Sequence, residues 1–268
     1  MYIEERHQAI LEWLQQNGSI STVDIQKQFS VGYESAKRDL RILEEKGLLK
    51  RTHGGALPIR QVAESRAANL TIKDYGEVKK NYFLIAQRAI KMIENNDVIF
   101  LFPVTVCYFI AQNLPDNLKI RVVTNSILIA EELRNRENIS VILLGGEMDK
   151  KGNCFDAIAI ETIKKLRVDK CFISAAAISA DFGLSIQKTS AIPFWNAVMD
   201  SSKRKIGLFP KEKIGFDSIV SISPAERLDM LITDWDALEE ELDLFREKGI
   251  EVVVVDKEQG DAKVEGSL

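Results

Sequence analysis

A group of basic residues near the start of the chain has the charge expected of a surface that binds a polyanion. Between residues 33 and 60 there are seven Lys or Arg residues and four Asp or Glu residues, whereas the whole chain of 268 residues carries a net charge of −4. A local excess of positive charge in an acidic chain favours contact with nucleic-acid phosphates. An ordinary solvated surface is the alternative that charge alone leaves open.

A second group of residues has the side chains needed to bind a small polar molecule. Thr124, Asn125 and Ser126 supply two hydroxyls and an amide where a predicted strand passes into a helix. Helix N-termini at such junctions direct N–H groups at anions, so a phosphate or hydroxyl cradle is predicted. The alternative for Ser126 alone is a simple helix cap, and Gly145-Gly146 is equally consistent with a flexible turn.

The basic residues belong to a predicted bundle of three short helices followed by a strand. The first helix carries Ile10 and Leu14 on one face with His7, which we interpret as a packing residue, and it ends at Asn17-Gly18. The second begins at Ser21, with Asp24 as its capping-box partner and Val23, Ile25 and Phe29 as its apolar side.

The third predicted helix runs from about Tyr33 to Lys46, with Ala36, Leu40 and Leu43 as its buried stripe. Its opposite face presents Glu34, Ser35, Lys37, Arg38 and Arg41. A strand over Leu48–Thr52 precedes the turn His53-Gly54-Gly55. This order is the winged helix-turn-helix plan, in which the third helix enters the major groove and the wing grips phosphates. A small helical bundle without DNA is the alternative.

The rest of the chain alternates between apolar runs and helical patterns, which predicts an open α/β sheet with helices on both faces. A helix over 77–93 opens the series. Strands are predicted at 97–102, 119–124, 139–146, 168–177, 204–209, 217–222, 228–233 and 250–255, and further helices near 105–113, 126–133, 156–165, 191–202 and 236–247. Ligands in such sheets bind at the carboxyl ends of the strands.

Composition excludes several classes of protein. Hydrophobic residues make up 46% and charged residues 28% of the chain, a globular balance. No apolar run approaches the roughly 18 residues of a membrane span, and the acidic start does not resemble a secretory leader. Three cysteines without a CxxC spacing indicate free thiols in a reducing compartment, so we expect a cytoplasmic protein without a metal site or a cofactor.

Two segments of the first sixty residues resemble the DNA-binding domain of the DeoR family of bacterial transcriptional regulators. They are SAKRDLRILEEKGLL (Ser35–Leu49) and RTHGGA (Arg51–Ala56). The chain departs from the family pattern at Gly32, where a serine cap is usual, and at Lys37, where arginine is commoner. The resemblance implies DNA contacts by Tyr33, Glu34, Ser35, Lys37, Arg38, Arg41, Arg51 and His53, and for His53 a turn-stabilising role is an equal alternative.

The second half resembles the sensor domain of the same family, whose fold is similar to that of ribose-5-phosphate isomerase. The resemblance is carried by VVTNSILIA (122–130), ILLGG (142–146), DKCFISAAAI (169–178), FGLS (182–185) and LITD (231–234). It implies an effector site formed by Thr105, Thr124, Asn125, Ser126, Gly145, Gly146, Ser174 and Lys213.

This chain lacks several features of the family's phosphosugar site. An Asp-x-Gly-Thr-Thr loop is replaced by Phe102-Pro103-Val104-Thr105-Val106, so that only Thr105 remains, and Asp156 stands where a glycine usually opens the ligand helix. In the late Asp-x-x-Lys pattern only Lys213 is retained. Loss of a glycine loop removes backbone donors for phosphate, and an acid at Asp156 would repel it unless the acid pairs with a base. A phosphosugar, a less charged ligand and no ligand at all remain open.

The sequence thus predicts a DNA-binding transcriptional regulator, by default a repressor of carbohydrate-metabolism genes. The expected domains are a winged helix-turn-helix at 1–57, a linker at 58–76, an α/β effector-sensing and oligomerisation domain at 77–256 and a tail at 257–268. Expected partners are an operator in double-stranded DNA, a small-molecule effector and further copies of the chain in a homodimer or homotetramer, with no membrane. The alternatives are a sugar-phosphate isomerase or deaminase-like enzyme and a ligand-independent oligomerisation module. Both histidines, His7 and His53, lie outside the α/β part, which argues against the enzyme.

Overall fold

The computed structural model describes residues 3–17, 19–46, 48–52, 54–58 and 80–257. These residues divide into two compact units, an N-terminal and a C-terminal one, and each is described by itself. Gly18, Gly47 and His53 lie outside the described residues, as do most of the predicted linker and tail.

The N-terminal unit contains three helices and a small antiparallel sheet. In chain order its elements are α1 (Ile3–Asn17), β1 (Ile20–Ser21), α2 (Thr22–Phe29), α3 (Tyr33–Glu45), β2 (Leu49–Arg51) and β3 (Gly55–Pro58). The strands lie in the order β1-β3-β2, and β3 is antiparallel to both neighbours. This arrangement confirms the predicted winged helix-turn-helix.

The core of this unit follows the predicted helical stripes with one exception. Ile10, Leu14, Leu40 and Leu43 are almost completely buried, as expected of residues that face each other across the helices. Val23 was predicted to lie on the apolar side of α2 but is 51% exposed. Its place in the core is taken by Thr22 and Ile25, which are three positions apart and therefore share a helical face that Val23 does not.

The start of α2 is fixed by the predicted capping box. The Ser21 hydroxyl accepts a hydrogen bond from the Asp24 N–H at 3.0 Å, and the Asp24 carboxylate accepts one from the Ser21 N–H at 3.1 Å. Both donors would otherwise be orphaned at a helix N-terminus. The residue pair that the sequence singled out therefore sets where α2 begins.

The C-terminal unit is built on a seven-stranded sheet in which every strand pairing is parallel. Its strands are β4 (Val98–Leu101), β5 (Ile120–Thr124), β6 (Ile139–Leu143), β7 (Val168–Ile173), β10 (Ser202–Leu208), β12 (Met230–Asp234) and β13 (Glu251–Val255). The helices are α4 (Lys80–Ile90), α5 (Thr105–Asn113), α6 (Ile127–Leu133), α7 (Ala157–Lys164), α8 (Ile192–Ser201) and α9 (Glu239–Glu247).

The strand order β13-β12-β10-β7-β4-β5-β6 places a topological switch point between β4 and β7. From β4 the chain winds toward β6, and from β7 it winds in the opposite direction toward β13. Because crossovers are right-handed, a reversal of direction places the two sets of helices on opposite faces of the sheet. This is the predicted open α/β architecture, and its ligand crevice is expected at the carboxyl ends of β4 and β7.

A second, three-stranded antiparallel sheet was not predicted. It consists of β8 (Ala177–Ser179), β9 (Gly183–Ile186) and β11 (Val220–Ser223) in the order β11-β9-β8. The single strand predicted over 168–177 is therefore wrong, since β7 ends at Ile173 and the chain re-enters a different sheet at Ala177. The apolar run continues through both segments, and hydrophobicity alone does not reveal the break. At the β8–β9 turn Gly183 has φ +76°, where any Cβ would collide with the Ser223 carbonyl.

Two kinds of feature are absent from the described part of the chain. No helix there has the length and the apolar character needed to cross a membrane. No group of His, Cys, Asp or Glu side chains within those residues is arranged to hold a metal ion. Cys107, Cys154 and Cys171 are all buried and none forms a disulfide.

Candidate functional site

The α3 helix presents one polar face to solvent and buries the other. Tyr33, Glu34, Ser35, Arg38 and Arg41 are exposed and Lys37 is half-buried, whereas Ala36, Leu40 and Leu43 lie in the core. The buried stripe fixes the rotation of the helix, so that its charged side chains project from a single face. The predicted DNA-contact residues of α3 therefore share one accessible surface.

Two of these residues contact each other at the start of α3. The Lys37 ammonium lies 4.5 Å from the centroid of the Tyr33 ring, a cation–π distance. A hydrogen bond to the Tyr33 side chain raises the pKa of Lys37. The two side chains thus present an aromatic and a cationic group together.

The wing residue Arg51 is tied to α3 by Glu44. One Glu44 carboxylate oxygen accepts a hydrogen bond from the Arg51 backbone N–H at 2.9 Å, and the other lies 3.7 Å from the guanidinium. Arg51 thereby has a defined position relative to the recognition surface. His53, the other predicted wing contact, lies outside the described residues.

A buried ion-pair network sets the position of α3 against α1. Asp39 on α3 accepts two hydrogen bonds from the Arg6 guanidinium, at 2.7 and 3.1 Å, and lies 3.1 Å from His7 Nε2. The hydrogen bond to Asp39 raises the pKa of Arg6. His7 is 6% exposed, in agreement with its predicted packing role. This function of Asp39 was not predicted, although Asp39 lies beside Leu40 in the sequence, on the apolar side of α3.

In the C-terminal unit the side chains predicted after β5 are buried and bond mainly to the protein. Thr124 donates its hydroxyl proton to the Leu101 carbonyl at 2.9 Å and accepts from the Ser126 N–H at 3.2 Å. The Asn125 amide donates to the Cys154 carbonyl at 2.9 Å. Among the described residues nothing donates to the Asn125 side-chain oxygen, although Asn125 is completely buried.

The loop between β6 and α7 contacts the side chain of Asp156 through its backbone. Its carboxylate accepts hydrogen bonds from the N–H groups of Glu147, at 2.8 Å, and Ala159, at 3.1 Å. Asp156 is the N-cap of α7, and these backbone donors hold its pKa below the ordinary value. Gly145 and Gly146 precede this contact and are exposed. Asp156 was expected to repel a phosphate unless it paired with a base. In the structure its carboxylate is paired with backbone N–H groups.

An aromatic cluster fills the region around the switch point. Phe102, which follows β4, is fully buried and its ring stacks on Trp195 at a centroid distance of 4.4 Å. Phe100 and Phe194 contact it edge-on. Thr105, at the start of α5, is 3% exposed. The position where the family commonly has an acid is therefore part of the hydrophobic core.

The other side of the switch point holds Lys213 and Ser174. The Lys213 ammonium donates to the Ser174 hydroxyl at 3.4 Å, and burial lowers its pKa to about 8. Burial also raises the pKa of the neighbouring Cys107 thiol, which keeps that thiol protonated and unreactive. A partly desolvated amine beside a hydroxyl therefore forms a polar position near the buried Cys107.

A polar cluster at the end of β12 was not predicted as part of a site. Asp234 accepts hydrogen bonds from the Asn81 amide at 3.0 Å and from the Lys211 N–H at 2.9 Å. Burial raises the pKa of this carboxyl group. The cluster fastens the start of α4 to the segment that carries Lys213. Sequence spacing alone does not reveal it, because Asn81 and Asp234 are 153 positions apart.

The contacts join the predicted effector residues into two groups. Thr124, Asn125 and Ser126 meet the β6–α7 loop through Asn153 and Cys154. Ser174 and Lys213 form the second group beyond the switch point. Parallel strands bring all these residues to the carboxyl edge of one sheet, as predicted.

Known families match both units. The family model described as "DeoR-like helix-turn-helix domain" matches residues 6–62, and the one described as "DeoR C terminal sensor domain" matches residues 79–235, more than half of the chain. The HTH-type transcriptional repressor GlcR of Bacillus subtilis is 31% identical over 97% of this chain and 99% of its own length.

Two further relatives come from Escherichia coli. The glycerol-3-phosphate regulon repressor is 28% identical over 86% of this chain and 90% of its own length. The L-fucose operon activator is 29% identical over 85% of this chain and 94% of its own length. Among solved structures, ribose 5-phosphate isomerase from Plasmodium falciparum has 15% identity over 49% of this chain and 51% of that one, with a TM-score of 0.36. A likeness this low supports no conclusion about activity, whereas the family models and the first relative assign the chain to a family of regulators. The chain belongs to the DeoR family of DNA-binding transcriptional regulators.

Proposed function

We propose that this regulator is a cytoplasmic repressor of carbohydrate-metabolism genes, released from its operator by a small-molecule effector. Two relatives, GlcR and the glycerol-3-phosphate regulon repressor, are named as repressors, which supports repression. A third, the L-fucose operon activator, is named as an activator. The observation that carries the DNA-binding part is the charged, exposed face of α3 above a buried apolar stripe.

The proposed DNA contacts have different roles along α3 and the wing. Tyr33, Glu34 and Ser35 lie at the N-terminus of the recognition helix, the part that reads base edges in helix-turn-helix proteins. The cations are assigned to phosphates or base edges, and the wing residues to the flanking backbone. The cations are Lys37, Arg38 and Arg41, and the wing residues are Arg51 and His53.

We assign oligomerisation and effector binding to the C-terminal unit. In a homodimer or homotetramer, two recognition helices about 34 Å apart would read adjacent half-sites one DNA turn apart. The effector would be a sugar, a sugar phosphate or a related metabolite at the carboxyl edge of the parallel sheet. The residues proposed to line this site are Thr105, Thr124, Asn125, Ser126, Gly145, Gly146, Ser174 and Lys213.

The test of this function is operator binding by the full chain, with the operator selected from random duplex DNA. In Arg38→Ala we expect weaker binding and a salt slope that falls by about one, because one phosphate contact is lost. Lys164→Ala is the matched control, since Lys164 is an exposed cation in the C-terminal unit. Equal affinity and slope in Arg38→Ala and the wild type would remove Arg38 from the DNA surface.

The effector part needs a separate readout. Operator binding is measured with sugars, polyols and their phosphate esters, and a true effector lowers operator affinity in a saturable manner. If a compound that stabilises the protein leaves DNA binding unchanged, it is not the releasing effector. If no compound acts, the C-terminal unit serves as a ligand-independent oligomerisation module.

A further inference from the structure

We propose that the carboxylate of Asp156 occupies the position that the phosphate of an effector would take, so that the effector of this regulator is an uncharged, hydroxyl-bearing molecule. This inference rests on the proposed function, in which the carboxyl edge of the sheet binds the effector. It narrows the candidates from sugars and sugar phosphates to unphosphorylated sugars and polyols.

The first observation is that Asp156 is held as an anion by backbone donors from two segments. The Glu147 N–H reaches one carboxylate oxygen at 2.8 Å, and the Ala159 N–H reaches the other at 3.1 Å. One donor comes from the loop after β6 and the other from the first turn of α7. Such convergent N–H groups at a helix N-terminus are the donors that phosphate uses in α/β proteins. In this chain these N–H groups already donate to a carboxylate of the protein itself, that of Asp156.

The second observation is that the backbone of the β6–α7 loop lies directly against this carboxylate at Gly146. Gly146 has φ +143°, and a Cβ atom at this position would collide with the Asp156 carboxylate. The loop and the side chain therefore leave no space for a second anionic group between them. Electrostatic repulsion adds to exclusion, because a phosphate next to Asp156 would place like charges within a few ångströms.

The third observation concerns what the neighbouring residue lacks. Asn125 contacts Cys154, two residues before Asp156, through its side-chain N–H and its backbone. Because that N–H group donates to a carbonyl, the other side-chain atom must be the oxygen, an acceptor. No described residue donates to this buried oxygen. A buried acceptor without a protein donor can accept a hydrogen bond from a ligand hydroxyl.

The chemistry of the missing donor shows which group of an effector would lie beside Asn125. A doubly ionised phosphate has only acceptor oxygens and cannot satisfy Asn125, whereas a sugar hydroxyl donates one proton and still accepts. Lys213 and Ser174, on the other side of the switch point, offer an amine and a hydroxyl as complementary donors to hydroxyl oxygens. A polyol therefore matches both groups of site residues.

The experiment measures thermal stability and calorimetric binding of the full chain with inorganic phosphate as the probe, against chloride of equal ionic strength. The wild type is not expected to bind phosphate. Asp156→Gly removes the carboxylate and should gain phosphate binding. We expect its melting temperature to rise by about 3–5 °C when the phosphate concentration is about ten times the Kd for phosphate. Asp156→Ser, which retains a helix cap, is the second variant if the glycine form folds poorly.

Two controls keep the loop nearly unchanged. Asp156→Asn fills the position without charge and should not gain phosphate binding. Asp149→Asn removes a carboxylate of the same loop that binds other N–H groups, so it tests for a general effect of charge. Equal phosphate binding by the wild type and Asp156→Gly would overturn the proposal. No gain in either Asp156→Gly or Asp156→Ser would also overturn it.

A second arm uses pairs of sugars and their phosphate esters. We expect the wild type to be stabilised by a parent sugar or polyol and not by the ester, and Asp156→Gly to accept the ester. A wild type stabilised by an ester but not by its parent would overturn the proposal. Operator binding is measured on the same samples without ligand. If the wild type did not bind an operator, the proposed function as a regulator would be refuted, and the result with phosphate would still stand.

Discussion

The two units differ in what their polar side chains do. On α3 the core is made by Ala36, Leu40 and Leu43, and Arg38 and Arg41 project into solvent. At the carboxyl edge of the parallel sheet, Thr124 and Asp156 bond to the protein's own backbone. The proposed DNA-binding surface is therefore exposed to an external partner, whereas much of the proposed effector edge is bonded within the protein. Family membership alone does not predict this difference, because it assigns ligand roles to both sets.

The largest effect is expected when Phe102, which follows β4, is replaced by an acid. Phe102→Asp would place a charge without a partner in the aromatic cluster with Phe194 and Trp195, and we expect a loss of about 5 kcal/mol or more in the free energy of unfolding. Urea denaturation of the full chain measures it. Phe182→Asp, at a 37% exposed aromatic, is the control and should cost far less. A stable Phe102→Asp protein would show that the switch point still tolerates a polar ligand contact.

The next test concerns the network under the recognition helix. Asp39→Ala leaves Arg6 and His7 buried without their carboxylate, and we expect a loss of about 3–5 kcal/mol in the N-terminal unit together with loss of operator binding. Calorimetry of the full chain should show a lowered transition for this unit and an unchanged one for the parallel-sheet unit. Glu45→Ala, an exposed carboxylate on the same helix, is the matched control. Normal DNA binding by Asp39→Ala would mean that the apolar stripe alone positions α3.

The sequence predicted the framework well because its signals were local. The capping box of Ser21 and Asp24, the stripe of α3 and the apolar runs of the parallel strands all lie within one element, where periodicity reports burial. The antiparallel sheet was missed, although a strand was predicted at 217–222 where β11 lies, because β9 is only four residues long and β8 continues the apolar run of β7. Short strands carry too few residues for a period to be recognised.

The positions of the candidate site residues were predictable from the sequence, but their hydrogen bonds were not. The sequence placed Thr124, Asn125 and Asp156 at the correct edge of the sheet, since that edge follows from the βα order. It did not indicate that Asp156 would cap α7 and accept from Glu147, because that contact depends on a loop conformation with positive φ at Gly146. The Arg6–Asp39 pair, 33 residues apart, is likewise a product of tertiary packing.

A smaller effect is expected at the wing. Glu44→Ala removes the acceptor of the Arg51 N–H and the partner of its guanidinium, both near the surface, so stability should fall by only about 0.5–1 kcal/mol. Operator affinity should fall by several-fold, because Arg51 loses its fixed position. Titration of a labelled operator measures the change. Glu12→Ala removes an exposed carboxylate of α1 that accepts a hydrogen bond from Gln8, and should leave affinity nearly unchanged. Equal affinities would exclude this restraint on the wing.

The smallest effect is a pH dependence at Asp156. Backbone donors lower the pKa of this carboxyl in the folded chain below its ordinary value of 3.8, so its stabilising contribution is complete above that value and is lost as the pH falls through the folded pKa. The melting temperature of the wild type should therefore exceed that of Asp156→Asn by a small constant amount near neutral pH, and the gap should close in acid below 3.8. A gap that persists in acid would mean that the shape of the cap stabilises α7 and its charge does not. A closing gap would identify Asp156 as an anion bound by the protein's own backbone, in contrast to the outward-facing charges of α3.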